Sequence, residues 1–322
     1  MRKKTGTLNF PHIVDGVSRR VECSRFLAAV FIALLSAAPS AQVPAASELF
    51  VCGWDEVYLL TLEADKPRRT WTWRAKGRAD LPDDIERLFN TTDECKPFDG
   101  GSRVLITSSG GAVALVDRDA DRVLFYGRAA NAHSADLLPG GRVAVAASHH
   151  AGGRGDRLIV FDLAKPDQEM LSEDLPWGHG VVWDEPRRLL WALADKDIRV
   201  YELRDWQTPS PKLHRVALIS LPEAGGHDFS VVDDSVIAVS TGTRCWLFDR
   251  NTRTFRPHPE LADKAKVKSI SHHPTTGRLA YVQAEGENWW AERIHFLNPA
   301  GTLHVPGEHF YKARWSATAP DR

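Results

Sequence analysis

The chain has 322 residues, of which 43% are hydrophobic, and its 41 Lys and Arg against 42 Asp and Glu give a formal net charge of −1 at pH 7. A charge this close to neutral excludes the strongly basic surface by which many proteins bind nucleic acid or anionic membranes. The 11 Trp residues favour strands over helices, because aromatic side chains pack well on a pleated sheet.

Residues 1–46 have the composition of an export signal followed by a short linker. Three arginines, Arg19, Arg20 and Arg25, precede the apolar run 26–38, after which small residues and Pro follow. A basic segment, a short apolar core and small residues are the parts of a cleavable signal peptide. A membrane anchor is the alternative, but it needs about 20 apolar residues. We therefore expect an exported protein, periplasmic or extracellular, without stable membrane insertion.

Six pairs of apolar segments with β character repeat through the rest of the chain. The first members are 49–54, 103–109, 142–148, 188–194, 235–241 and 278–284. The second members are 56–62, 112–117, 157–163, 198–203, 243–249 and 293–298. The pairs recur every roughly 40–50 residues, a period typical of propeller repeats.

Further strands complete each repeat. A more polar third strand follows several pairs, for example 122–128, and another strand precedes each pair from the second onward. The turns at 138–141, 184–187 and 273–277 contain the Gly and Pro that hairpins need. Four antiparallel strands in each period are typical of a propeller blade. The sequence thus predicts an all-β fold, a six-bladed β-propeller of four-stranded antiparallel blades, over residues 47–317.

The two ends of this region complement each other. The first blade lacks an inner strand, because the mature chain opens directly with 49–54, whereas the segment 309–316 remains after the last blade. Placing that segment in the first blade removes two exposed sheet edges. We therefore expect the C-terminal strand to close the ring, with residues 318–322 as a tail.

The most distinctive segments are VCGWDEVYLL (51–60), DECKPF (93–98), NAHSADLLPGGRV (131–143) and GHGVVWDEPRRLLWAL (178–193). On these segments the chain resembles a group of exported bacterial propeller proteins known mainly as a family of unknown function, over about residues 48–316. This resemblance implies a fold and an export route but no reaction. The blade pattern is also distantly similar to the gluconolactonase-like propellers, whose central metal is held mostly by carboxylates and Asn. The residues at the matching places differ here, so the resemblance does not extend to that activity.

One ionisable residue recurs at the same place in every predicted blade. An alignment of the blades on their second strands selects Glu94, His133, His179, His227, Lys268 and Lys312. Equivalent positions of a propeller converge on its axis, so we expect these side chains to share one mouth of the central channel. His133, His179 and His227 are candidate catalytic residues, since imidazole transfers protons near neutral pH.

The same set suggests how a ligand would be held. Glu94 and the three histidines are candidate ligands of a divalent metal in the channel (Zn, Mn or Fe), which imidazole nitrogen and carboxylate oxygen suit. Lys268 and Lys312 would attract an anionic ligand. The alternative is a structural role, in which these inner-strand side chains bond to one another and to channel water.

The loops between second and third strands should surround the same mouth. They contain Trp54, His149, Trp289 and Trp290, which we take as candidate ligand-binding residues because exposed aromatic rings stack on sugars. Blade packing for the Trp pair and a solvated loop for His149 are the alternatives.

The function predicted from these residues is a monomeric protein whose axial pocket binds or processes a small anionic ligand, for example a uronate-containing oligosaccharide. The alternative is a non-catalytic platform that binds proteins or glycans, and the sequence does not decide whether the protein is an enzyme. The mature chain retains Cys52, Cys95 and Cys245. If a disulfide forms, Cys52 and Cys95 are the expected pair, and free thiols are the alternative.

Overall fold

A computed structural model describes residues 47–63 and 66–317 of the chain. In this part, 24 strands form six four-stranded antiparallel sheets, joined by turns, by one helix α1 (Asp83–Glu86) and by a short 3₁₀ turn. None of the described helices is long and apolar enough to cross a membrane. The predicted six-bladed β-propeller is therefore confirmed, while the predicted signal peptide and tail lie outside the described residues.

Each blade runs outward from the axis in the same order, and we number the blades 1 to 6 from the one that contains the first strand. The innermost strands, starting with blade 2 and ending with blade 1, are β4 (Thr92–Phe98), β8 (Ala132–Leu138), β12 (Gly180–Asp184), β16 (Asp228–Val231), β20 (Val267–His272) and β24 (Lys312–Trp315). The second strands of blades 1 to 6 are β1 (Ser47–Gly53), β5 (Arg103–Ser108), β9 (Arg142–Ala147), β13 (Leu189–Leu193), β17 (Val236–Ser240) and β21 (Leu279–Gln283).

The outer half of each blade is more polar. The third strands are β2 (Glu56–Glu63), β6 (Ala112–Asp117), β10 (Arg157–Asp162), β14 (Asp197–Arg204), β18 (Cys245–Asp249) and β22 (Arg293–Leu297). The outermost strands are β3 (Lys66–Arg74), β7 (Arg122–Arg128), β11 (Glu169–Asp174), β15 (Lys212–Ser220), β19 (Thr254–Pro257) and β23 (Gly301–His304). The described side chains of these outermost strands are largely exposed, so the solvated edge of each blade faces away from the axis.

The C-terminal strand closes the ring as predicted. β24 pairs antiparallel with β1, so that Trp315 lies opposite Leu49 and Lys312 lies opposite Cys52. Blade 1 is therefore built from both ends of the propeller. Because β24 pairs with β1, β1 has no exposed sheet edge.

Apolar side chains fill the space between every pair of neighbouring blades. Six separate clusters of buried residues occupy the six blade interfaces. Along β1, Leu49 and Val51 pack towards blade 6, whereas Phe50 and Cys52 pack towards blade 2. Because both faces of each sheet are covered, second strands such as β5, β9 and β17 read as continuous apolar runs rather than as an alternating pattern.

The three described cysteines are buried free thiols, which is the alternative to a disulfide. Cys52 and Cys95 lie in the same cluster between blades 1 and 2, and Cys245 lies between blades 5 and 6. Burial raises the pKa of the Cys95 thiol well above its usual value, and a hydrogen bond with Cys52 adds to the rise.

A network of buried charges fills the axis below one mouth. The guanidinium of Arg314 donates to Oε1 and Oε2 of Glu94 at 2.8 and 3.0 Å, and to Oδ2 of Asp228 at 3.0 Å. Nζ of Lys312 lies 3.3 Å from Glu94 Oε2 and 3.4 Å from Asp228 Oδ1. β24 thus connects blade 1 to blades 2 and 5 through side chains that are almost completely buried.

The two cations decide the charge state of the carboxylates. Burial alone would raise the pKa of Glu94, but the positive charges of Arg314 and Lys312 outweigh it and hold that pKa well below the usual range. The same two cations lower the pKa of Asp228. The carboxylates therefore stay ionised at neutral pH, and each depends on the residues of β24 for compensation.

We expect Arg314→Leu to destabilise the protein by about 3–5 kcal/mol, because two carboxylates would remain buried without their guanidinium partner. The free energy of unfolding, measured by urea titration, provides the test. Arg256→Leu is the matched control, since Arg256 is exposed on β19 and its loss should change the stability by less than about 0.5 kcal/mol. Equal stability of the two variants would contradict a role of the axial network in closing the ring.

Candidate functional site

The register of the inner strands defines a ring of six side chains at one mouth of the axis. The backbone N–H groups of His179, His227 and Tyr311 donate to the second strand of their blades in the same way, to the carbonyls of Leu193, Ser240 and Cys52. In the other three blades the pairing of the first two strands shifts by one residue, at Asp93, His133 and Lys268. The mouth ring therefore consists of Asp93, His133, His179, His227, Lys268 and Tyr311.

The structure brings four of the six predicted residues, His133, His179, His227 and Lys268, together in the mouth ring and places the other two below it. The prediction that Glu94 and Lys312 face the mouth is wrong, because both belong to the next layer, where they pair with each other. A shift of one residue along a strand turns a side chain towards the other face. The mouth ring therefore contains Asp93 where Glu94 was predicted, and Tyr311 where Lys312 was predicted.

The sequence contains a signal that fixes this register. Two residues after each mouth residue, the chain has an apolar or small side chain that packs between blades. These residues are Cys95, Ala135, Val181, Phe229, Ile270 and Ala313. An alignment on these positions would have placed Asp93 and Tyr311 in the ring.

The three histidines form a continuous row along the ring. The imidazole centroids of His133 and His179 are 4.4 Å apart, and those of His179 and His227 are 4.5 Å apart. Nδ1 of His133 lies 3.0 Å from the carbonyl oxygen of Asn131, and Nδ1 of His179 lies 2.8 Å from that of Trp177. Since a carbonyl only accepts, both rings carry their proton on Nδ1 and leave Nε2 as an acceptor.

Burial keeps this row uncharged near neutral pH. It lowers the pKa of His179 to about 4 and lowers the pKa values of His133 and His227 well below the usual value, and the neighbouring imidazoles and lysines add to the shifts of those two. Nζ of Lys268 donates to Nε2 of His227 at 2.7 Å, and the hydroxyl of Tyr311 lies 3.4 Å from the same nitrogen. The row therefore offers neutral acceptors, next to the ammonium group of Lys268 and the hydroxyl of Tyr311.

Asp93 and Lys268 are the two groups of the ring that titrate near neutral pH. Burial raises the pKa of Asp93 to about 7, although the hydroxyl and the backbone N–H of Ser109 lower it. Oδ1 of Asp93 lies 3.7 Å from Nε2 of His133. Burial lowers the pKa of Lys268 to about 8, and the charges of Lys266 and Lys312 contribute.

The mouth ring surrounds an open cavity of about 220 Å³. Its lining includes Asp93, His133, His227, Lys268 and Tyr311 from the ring, and Ser109, Asn131 and Trp289 from the loops above it. The buried ion pairs of Glu94, Asp228, Lys312 and Arg314 lie in the next layer and form its floor.

Aromatic side chains stand on two opposite sides of this entrance. On the side of blades 1 and 6, the ring of Trp54 stacks on Trp289 at 5.4 Å and on His309 at 4.4 Å, and Trp290 meets His309 edge-on at 4.0 Å. On the side of blades 3 and 4, the loop residue His149 stacks on Trp177 at 4.8 Å. The four rim residues predicted from the sequence therefore lie at the entrance, and Trp177 and His309 were missed.

The predicted metal ligand set is not brought together. Within residues 47–63 and 66–317, no group of three or more His, Cys, Asp or Glu side chains is arranged to hold a metal ion. Both carboxylate oxygens of Glu94 accept hydrogen bonds from Arg314, and Lys268 occupies Nε2 of His227. The proposed Zn, Mn or Fe site therefore does not fit the residues present.

Two comparisons with known proteins complement this geometry. No curated protein matches the chain. The sequence profile described as a family of unknown function (DUF6528) matches residues 40–319, which include the whole described propeller. This match agrees with the resemblance found from the sequence, and the chain belongs to the family of unknown function DUF6528.

Proposed function

We propose that the mouth pocket binds a small ligand through its carboxylate group. The observation that carries the proposal is the position of Lys268, a partly buried cation in a ring of uncharged imidazole and phenol groups. A carboxylate placed beside Lys268 would compensate the ammonium group for the water that burial removes, and the Tyr311 hydroxyl of the ring would donate a further hydrogen bond to it.

The aromatic rims favour a sugar acid, such as a uronate unit of an oligosaccharide, over a simple organic acid. The exposed fractions of Trp54, Trp177 and Trp289 are 44%, 50% and 39%. Such flat, exposed rings stack on the apolar face of a pyranose while their edges stay in water. The cavity of about 220 Å³ accommodates one sugar ring, with neighbouring units at the rims.

A protein-binding platform, the alternative function, receives less support. Among the described residues, five large hydrophobic side chains are exposed, and the three Trp residues among them surround the mouth. The other two, Val216 and Leu218, lie on the outermost strand β15. This patch is too small to compare with the apolar surfaces of a few hundred Å² that mark protein interfaces.

Catalysis at the same site is a further part of the proposal. His133 and His179 are neutral and leave Nε2 free to accept a proton, whereas Nε2 of His227 already accepts from Lys268, and Asp93 can carry a proton near pH 7. Proton abstraction next to a carboxylate needs such a base and a cation that stabilises the charge that develops. His133 is the best placed of the three, since its Nε2 lies 3.7 Å from Asp93.

We expect Lys268→Gln to weaken the binding of galacturonate by at least about tenfold, because the substitution removes the cation and keeps the size of the side chain. Binding of galactose, which lacks the carboxylate, should not change. Lys165→Gln is the control, since Lys165 is exposed in the turn after β10. Calorimetry measures both affinities, and product analysis after incubation shows whether the ligand is processed. Equal binding of galacturonate by the two variants would contradict the proposal.

Binding should also depend on pH in a defined direction. Below about pH 7, Asp93 is protonated and Lys268 is charged, which favours an anion; above about pH 8, Asp93 is charged and Lys268 is neutral. Tyr311 and the three histidines do not change charge in this range. We therefore expect the affinity for galacturonate at pH 9 to be about tenfold lower than at pH 6. A flat profile would exclude this pair as the charge determinant.

We propose export from the cytoplasm on the basis of the N-terminal pattern of arginines, an apolar run and small residues. Expression of the full chain in a bacterial host should yield a mature protein outside the cytoplasm that begins between Ala38 and Ala46. Sequencing of its N-terminus provides the test. A full-length protein that remains in the cytoplasm would contradict the proposal.

A further inference from the structure

A second cavity lies beside the mouth pocket, in the groove between blades 2 and 3. Its volume is about 460 Å³, and it is lined by the turn between β5 and β6, by the residues just before β8 and by the loop between β9 and β10. The charged side chains in its lining are Arg128, Arg154, Arg157, Asp167 and Glu169.

The groove and the mouth pocket are continuous across Asn131. This residue lines both cavities, and Ser109 of the pocket is followed in the chain by Gly110 of the groove. The side-chain amide of Asn131 donates to the backbone carbonyl of His149 at 2.6 Å, and the backbone carbonyl of Asn131 accepts from Nδ1 of His133. A ligand in the pocket could therefore extend into the groove across Asn131, whose position is fixed by its hydrogen bonds with His149 and His133.

The charges in the groove differ in whether they are already paired. Arg128 forms ion pairs with Asp167 and Asp84, and Arg157 pairs with Glu169. Arg154 is exposed and has no ion pair among the described residues. The groove therefore presents one arginine whose guanidinium is available to a negatively charged group.

The loop that carries Arg154 is fixed at its base. The carboxylate of Asp156 accepts from Nδ1 of His149 at 2.8 Å and from the backbone N–H of Trp177 at 2.7 Å. A Cβ atom at Gly155 would lie 2.0 Å from the carbonyl oxygen of Ser148, so only glycine permits this close approach. The loop thus holds Arg154 over the groove rather than away from it.

We propose that this groove is a second subsite for an anionic unit, so that the ligand is an oligomer with at least two carboxylates rather than a single sugar acid. The inference rests on the proposed function of the mouth pocket, which would bind the first carboxylate at Lys268. Arg154 binds the second, and the ligand chain crosses Asn131 between them.

The test compares galacturonate, its linear trimer and a neutral trimer of glucose in calorimetric titrations of the mature protein at low salt. Wild type should bind the galacturonate trimer about tenfold more tightly than the monomer, because a second charge-assisted contact is added. Arg154→Gln should remove this gain and leave monomer binding unchanged. Arg154→Lys should keep part of it, and the control Arg256→Gln, on the exposed outer strand β19, should keep all of it.

Each outcome separates the two proposals. If the monomer binds but the trimer binds no more tightly, or if Arg154→Gln keeps the gain, the second subsite is wrong while the mouth pocket stands. If the neutral trimer binds as well as the acidic one, charge does not select the ligand and the subsite for an anion is wrong. If neither acidic ligand binds, the carboxylate-binding function is itself wrong, and the second subsite is refuted with it.

Discussion

The buried ion pairs on the axis are the interaction on which the rest of the structure depends. Ionised carboxylates are costly to bury unless cations and hydrogen bonds compensate them, and Glu94 and Asp228 obtain this compensation from Arg314 and Lys312 of the last strand. The strand that completes the sheet of blade 1 therefore also neutralises charges from blades 2 and 5. The same network closes the channel below the mouth ring, and it converts an open axis into a pocket with a polar floor.

The fold could be predicted from the sequence because each part of it has a local signal. The paired apolar segments, the turns rich in Gly and Pro and the unpaired run 309–316 each follow from interactions along a strand or between neighbouring strands. β24 accordingly lies where the spare segment was placed. The site was predicted less completely, because an error of one residue in the register of a strand changes which side chain faces the axis, and periodicity alone fixes neither the bulge at Asp93 nor the regular start of the inner strand at Tyr311.

Other properties of the site could not be predicted because they arise from residues that are distant in the sequence. The pKa of Asp93 is raised by burial under side chains from other blades, and Lys268 meets His227 only because blades 5 and 6 are neighbours. The stacking of Trp177 on His149 joins residues from two neighbouring blades, and no local pattern in the sequence indicates it. A row of histidines on successive blades indicated a metal site, but the structure places a lysine and a carboxyl group at the two ends of that row.

The mouth ring takes one side chain from each blade, and this has a consequence for the biosynthesis of the protein. Tyr311 directly precedes β24, which is synthesised after the rest of the propeller, and the floor of the pocket needs Lys312 and Arg314 of that strand. A nascent or truncated chain that lacks these residues has neither the complete ring nor the floor. The mouth pocket is therefore complete only in a molecule in which β24 has paired with β1, so its formation is tied to the closure of the ring.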